Sequence, residues 1–398
     1  MTPIQAFSRA YETTHPWIKF TLDLEQDVKY RSWLLLGEAQ SKSEHIAGAP
    51  LEPQIAEELH RVYLTKGIHG TTSIEGNTLS ETEVRARIEG SLDLPRSREY
   101  QGKEIDNILA ICNDLAREIR EGRDPGLTVD RIHEFNRRIL DGLPLKEDVI
   151  PGETRTHSVT VGIGPYRGAP AGDCDYLLNR MVDWLNGIES PADKPELKYP
   201  LAVLKSILAH LYIAWIHPFG DGNGRTARMI EFQLMIEAGA PTPAAHLLSN
   251  HYNLTRDVYL IELARTSSRP EARFDGFIEY ALQGLVDQLR EQIGRIRSAQ
   301  YDVAWQNYVH NQFRDEETVS KRRQKHLVLD MPTNAIPRSK IREVSARVTT
   351  EYAGKEAKTV SRDLNALEAK GLIERVGNSY RANRDIIRAF LPLKRAVT

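Results

Sequence analysis

Two stretches of apolar helical pattern, over 199–216 and 226–238, flank a twelve-residue segment that runs HPFGDGNGRTAR from His217 to Arg228. In the first stretch Leu201, Leu204, Leu208, Leu211, Tyr212 and Trp215 recur at helical spacing. The second stops at Gly239, with Pro241 behind it. The segment is therefore expected to be a loop between a buried helix and the start of another. Such a placement suits an anion, because the first N–H groups of a helix lack partners and the dipole is positive there. Gly222 and Gly224 remove the Cβ atoms that would hold a phosphate away from the backbone. Asp221 can hold Mg2+ against phosphate oxygens, since that ion takes one or two carboxylates and completes its shell with phosphate and water. Arg225 and Arg228 share a face and can clamp phosphate. His217 titrates near neutrality, so it can accept a proton from an attacking hydroxyl. Base, carboxylate, anion nest and paired arginines together suit phosphoryl or nucleotidyl transfer.

The same twelve residues match every fixed position of the signature of Fic-domain proteins, H-x-F-x-[D/E]-G-N-G-R-x-x-R. This resemblance implies a mainly α fold, a helical core with a short β-hairpin flap, and transfer of AMP from ATP to a Ser, Thr or Tyr hydroxyl of a target protein. By position, it makes His217 the general base and Asp221 the Mg2+ ligand. Gly222, Asn223 and Gly224 become the hole for the α- and β-phosphates, while Arg225 and Arg228 hold the β/γ end. The alternative within the resemblance is that the same site removes AMP, with Glu75 positioning a water, or transfers another phosphate-containing group.

Upstream, 53–67 is patterned as a helix that Gly67 closes, and 70–76 as a separate helical turn before a Ser80–Glu83 capping box. On the residues alone Glu75 reads equally as a solvated surface glutamate. Thr71-x-x-x-Glu75-Gly76 also resembles the inhibitory-helix motif of the family, in which the glutamate pairs with the second signature arginine, here Arg228. That resemblance implies inhibition in cis. Further on, 105–115 and 132–140 are patterned as helices. His157 to Val161 alternates polar and β-branched residues before the turn signal 162–165, the expected hairpin. Tyr252, Asn253 and Tyr259 lie at helical spacing and read either as facing a nucleotide base or as packing.

The chain has 398 residues, enough for two or three domains, and its expected divisions are 1–110, 111–297 and 300–398. The last of these stands apart in charge. Residues 301–398 carry 19 lysines and arginines against 12 acidic residues, although the whole chain is at −2. There, helices over 338–350 and 355–371 followed by two short strands resemble a winged helix. If that module binds DNA, Lys358, Thr359, Ser361, Arg362 and Asn365 would enter a groove, with Arg375 and Arg381 near phosphates. Asp363 and Glu368 on the same helix count against this, and partner binding is the alternative. A nucleotide-sensing, DNA-binding regulator is the rival reading of the whole chain. Two cysteines without metal-like spacing, an N-terminus without a signal pattern and an apolar run, 201–216, interrupted by Lys205 and His210 lead us to expect a cytoplasmic protein without a membrane segment. Homodimerisation is compatible with these features.

Overall fold

The structure is a computed structural model that describes residues 9–123, 126–160, 166–267, 274–315 and 318–388. It divides into two compact units, 1–294 and 295–398. The first is helical. Its elements are α1 (Ala10–Thr14), α2 (Tyr30–Ala47), α3 (Pro53–Ser73), α4 (Glu81–Ile88), α5 (Glu99–Arg120), α6 (Val129–Leu140), α7 (Cys174–Asn186), α8 (Lys198–Ile216), α9 (Asn223–Glu237), α10 (Thr242–Ala245), α11 (Leu247–Leu254) and α12 (Arg256–Thr266). The next helix, α13 (Asp275–Gln312), runs through the boundary between the units. No boundary falls at the expected 110/111 division. The amphipathic α5 crosses it and places Ile105, Ile108, Ile111, Cys112 and Leu115 in one continuous core.

That core is built around α8, whose residues are buried along almost the whole helix. The helical segment Pro195–Ile216 is 22 residues and, by length and composition alone, long and apolar enough to cross a membrane. Of its most apolar 18-residue window 83% is nonetheless buried within the protein, as the central helix of a packed bundle must be. Helix α9 turns back against α8, and α3, α5 and α6 close around α9.

Two sequence expectations of helix bounds change. Helix α3 does not end at Gly67 but continues to Ser73, taking in the first part of the turn expected over 70–76 and leaving 74–76 as a turn beyond it. A Cβ on Gly67 would come within 2.5 Å of the His246 ring, and one on Gly70 within 2.6 Å of the Ser249 carbonyl oxygen. These glycines permit close packing of α3 on the 246–250 region; they are not stop signals. Helix α9 likewise begins at Asn223, three residues earlier than its apolar pattern. The Ser80–Glu83 capping box forms at the start of α4.

The second unit packs the C-terminal part of α13 with α14 (Val319–Asp330), α15 (Ala346–Tyr352) and α16 (Ala357–Ala369). Its sheet has β1 (Ile336–Pro337), β2 (Ile373–Val376) and β3 (Ser379–Ala382) in the order β1-β3-β2, all antiparallel. Ile336 faces Tyr380, and Ile373 faces Ala382. The expected helix over 338–350 is instead a 3-10 turn, Arg338–Glu343, followed by α15 capped by Ser345. Trp305, Leu327, Val348, Leu364, Leu372 and Tyr380 form this unit's own apolar core.

Candidate active site

The loop after α8 is held in an unusual backbone conformation. His217 has φ 50° and ψ 58°, and it is the one non-glycine with positive φ among the described residues. A side chain in that region costs roughly 1–3 kcal/mol and persists only where its surroundings hold it there. Arg155 does so. Its Nε donates to the His217 carbonyl at 2.7 Å, its Nη1 to the His157 carbonyl at 2.6 Å, and its Nη2 to the carbonyls of Ala169 and, at 3.3 Å, Ile216. Its backbone N–H donates to the Pro218 carbonyl at 2.9 Å. One guanidinium thus satisfies the carbonyl end of α8 and places a positive charge at the negative end of its dipole. Gly168 lets this pass, since a Cβ there would lie 2.8 Å from Arg155 Nη2 and 2.9 Å from His217 Cβ.

The rest of the loop is clamped by asparagines. Asn223 Oδ1 accepts from the Phe219 N–H at 2.9 Å, and its Nδ2 donates to the Phe219 carbonyl at 2.8 Å. Asn136 on α6 donates to the Asp221 carbonyl at 2.9 Å and accepts from the Gly152 N–H at 2.9 Å. Gly222 takes φ 77° before α9 begins. The first backbone bond of α9 runs from the Thr226 N–H to the Gly222 carbonyl at 2.8 Å. The N–H groups of Asn223, Gly224 and Arg225 therefore precede the ladder, as an anion nest requires.

His217 is partly accessible. Burial first, and then the nearby Arg155 charge, lower its pKa to about 4, against smaller opposing effects of Glu75, the Ala214 backbone and Asp221. The Ala214 carbonyl favours the protonated ring without forming a well-aligned hydrogen bond. The ring is consequently neutral at pH 7, the state a general base needs.

Both signature arginines lead inward from the first turns of α9. The Arg228 side chain has no exposed surface; its Nη2 donates to Glu75 Oε1 at 2.6 Å and to the Thr71 carbonyl at 2.9 Å. Its Nε and Nη1 are buried without hydrogen-bond partners. Burial raises the pKa of Glu75, but the Arg228 charge, followed by Arg225, outweighs it and holds the carboxyl below its ordinary value. Arg225 donates from Nη1 to Glu104 Oε1 at 2.7 Å and from Nη2 to Asp221 Oδ1 at 2.8 Å. Asp221 itself keeps 47% of its side chain exposed. Gly76, at φ 102°, ends the turn that presents Glu75.

His217, Asp221, Gly222, Asn223, Gly224, Arg225, Arg228, Thr71, Glu75 and Gly76 therefore lie around one loop. Tyr252 and Tyr259 take the packing role: they are buried, with the Tyr252 hydroxyl donating to Glu231 Oε1 at 2.9 Å and the Tyr259 hydroxyl 2.8 Å from His210 Nε2. Thr160 bridges Arg167 in antiparallel fashion, consistent with the arms of a hairpin, while 161–165 lie outside the described residues. Sequence reasoning missed Arg155, Asn136, Glu104 and Asn77. One signal was available: Gln101, Glu104 and Asn107 interrupt the apolar face of α5, and all three are buried.

In the second unit Lys358, Arg362 and Asn365 are exposed on α16, and Thr359 and Ser361 are half-buried. Ser361 accepts a bond from Arg338, and Arg381 is paired with Glu374 at 2.6 Å. Asp363 does not face outward with them. It is 1% exposed and bonded to Arg323, Gln324 and Tyr352 at 2.8, 2.8 and 3.0 Å.

Comparison with known proteins matches residues 126–235 to the Fic/DOC family. Protein adenylyltransferase fic-1 of Caenorhabditis briggsae is 32% identical over 182 residues, 44% of this chain and 32% of the relative. Protein adenylyltransferase Fic of Nematostella vectensis is 28% identical over 211 residues, 52% of this chain and 45% of that protein. The chain thus spans between about a third and a half of the length of these relatives. Among solved structures, a Fic family protein from Desulfovibrio desulfuricans superposes with TM-score 0.54 at 20% identity, covering 89% of this chain and 96% of the other. Fic-1 from Caenorhabditis elegans gives TM-score 0.52 at 21% identity, covering 67% and 73%. These structures share the fold. Together, the signature loop, its helical setting and these matches identify a Fic domain in this chain.

Proposed function

We propose that this chain is a protein adenylyltransferase whose site is restrained by Glu75. The observation that carries the reading is the buried Arg228, bonded to Glu75 at the start of α9 and leaving two guanidinium nitrogens without partners. Those nitrogens suit the terminal phosphates of ATP. The relatives named as protein adenylyltransferases support AMP as the transferred group.

In this mechanism the α- and β-phosphates rest on the N–H groups that open α9, with Arg225 and Arg228 on the β/γ end. A Ser, Thr or Tyr hydroxyl of the target gives its proton to a neutral His217 ring nitrogen. Its oxygen bonds to the α-phosphorus as the bond to the bridging oxygen breaks, and pyrophosphate leaves. Preorganised N–H groups and guanidinium charges stabilise the growing negative charge. Asp221 suits Mg2+: its side chain is half exposed, and no group of three or more His, Cys, Asp or Glu able to hold a metal occurs among the described residues, so phosphate and water would complete the shell. Bound there, Mg2+ would neutralise charge on the phosphates.

Restraint follows from the position of Glu75. A Cβ on Gly224 would lie 2.1 Å from Glu75 Oε1, so this carboxylate occupies space over the first turn of α9 that a phosphate would use. Removal of AMP by the same site would require Glu75 to hold a water, whereas here Oε1 is engaged by Arg228. Incubation of wild type and Glu75→Gly with α- and γ-labelled ATP separately tests the reading. Label should reach protein from the α position only, and more in the variant. Transfer from the γ position would indicate a kinase and sink the proposal.

A second reading concerns residues 300–398, which we propose act as a winged-helix-like, DNA-binding module. The favouring observation is the burial of Asp363 against Arg323, which removes one of the two acidic residues counted against DNA and leaves Lys358, Arg362 and Asn365 on the open face. The full chain should bind duplex DNA with strong salt dependence. Arg362→Ala should relax sequence preference, and salt-independent binding would favour a protein partner instead.

A further inference from the structure

Arg225 is held from behind by a carboxylate that is no part of the signature loop. Glu104 on α5 and Arg225 are each only 8% exposed and meet at 2.7 Å. The second oxygen of Glu104 accepts from Asn77 Nδ2 at 2.8 Å. That same nitrogen donates to the Gln101 carbonyl at 3.1 Å, and Asn77 Oδ1 accepts from the Leu79 N–H at 3.0 Å. The Asn77 N–H donates to the Thr72 carbonyl at 3.2 Å, inside the segment that presents Glu75. Asn77 is thus fixed at its backbone N–H and at both polar atoms of its side chain, and it fixes Glu104 in turn.

The consequence is geometric. A guanidinium is planar, and this one is tethered at its Cα on α9 and gripped at Nη1, so its plane and direction are set. Nη2 then points to the half-exposed Asp221, at the open side of the loop. As a contribution to stability alone, a buried ion pair is close to neutral, because desolvation offsets the attraction. Its effect on orientation does not cancel in this way. Glu75 lies over the Gly224 backbone, where it excludes an anion; Glu104 is engaged on α5 and leaves Nη2 directed at Asp221 on the open side of the loop.

We infer that Glu104 is a positioning residue for Arg225, aiming it at the β/γ-phosphates of the nucleotide, and that Asn77 couples this aim to the segment carrying Glu75. The inference rests on the adenylyltransferase reading above. Arg228 is then held by that segment directly and Arg225 through Asn77 and Glu104, so both cations of the site depend on one turn of chain.

The test uses the full chain with Glu75→Gly as reference, and measures Mg·ATP binding, AMP binding and the melting temperature. Glu104→Gln keeps the shape but turns an amide nitrogen toward either Asn77 or Arg225. ATP affinity should fall about tenfold or more, the scale of one charge-assisted contact. AMP, which lacks the β- and γ-phosphates, should bind as before. Asn77→Ala should shift ATP affinity in the same direction by less, and should add nothing to Glu104→Gln. Equal losses for AMP and ATP would reduce Glu104 to a structural residue, and unchanged or tighter ATP binding would overturn the positioning role. Absence of ATP binding by the Glu75→Gly reference would instead overturn the adenylyltransferase reading and this one with it.

Discussion

His217 combines a backbone that histidine rarely adopts with a side chain kept neutral. Arg155 contributes to both: it holds the Ile216 and His217 carbonyls, and its charge adds to burial, the larger cause, in pulling the His217 pKa down to about 4. Removing the base should therefore stop chemistry without disturbing nucleotide binding. His217→Ala is expected to slow AMP transfer by about 100- to 10,000-fold while Mg·ATP affinity stays near wild type. His217→Asn, better suited to positive φ, controls for backbone strain. The acid limb of kcat/KM should fall near pH 4, well below the ordinary imidazole range. Glu75 is one of the groups that raise the His217 pKa, so Glu75→Gln should move this limb lower still. The same substitution should raise ATP affinity about ten- to a hundredfold by freeing Arg228. Adding Arg228→Ala should erase that gain, and a double variant that gains as much as the single would show that restraint does not run through this pair.

At the scale of elements, the restraint depends on how closely α3 approaches the 246–250 region. Gly70→Ala would place a Cβ 2.6 Å from the Ser249 carbonyl oxygen, so α3 must shift or rotate one residue before Thr71 and five before Glu75. The expected result is a melting temperature lowered by several degrees, as for overpacking of about 1–3 kcal/mol, together with raised automodification. A destabilised variant with wild-type activity would separate the helix from the restraint. This approach was not legible in the chain, where Gly67 read as a helix stop. A glycine that ends a helix and one that admits a neighbour look alike until the neighbour is known. The signature loop was legible for the opposite reason: His217 to Arg228 are consecutive, so their chemistry shows without the fold. Arg155, Asn136 and Glu104 reach that loop from other elements, and only the packing of α5 and α6 against α9, and of the 150s against residues 216–219, reveals them. Asp363 taught the converse, since its charge read as part of an exposed face until Arg323 was seen to bury it.

For the first unit as a whole, acid sensitivity follows from histidines buried in the neutral form. Burial lowers His217 to about 4, His246 to about 3 and His251 to about 4, with His60 contributing to the shift at His246. In the unfolded chain each would titrate near 6.5. The unfolded state therefore takes up these protons first: stability is complete above pH 6.5 and declines as pH falls toward the folded values. Each group lowers stability by up to about 1.4 kcal/mol per pH unit in that window, so three together remove roughly 4 kcal/mol by pH 5.5, a large share of what a domain possesses. The Glu75–Arg228 pair resists the same acidification, because its carboxyl titrates below the ordinary range. His246 stacks on Phe232 with ring centroids 4.4 Å apart, and its ring lies against Gly67 of α3. Its protonation would loosen the helix that presents Glu75 while the ion pair itself remains charged. Urea denaturation of the full chain at pH 7.5 and pH 5.5 should show a fall in the midpoint of the first unit, followed through the Trp215 region, and His246→Gln should reduce the pH slope by about one proton. A midpoint independent of pH across this range would mean that these histidines take up protons without opening the core.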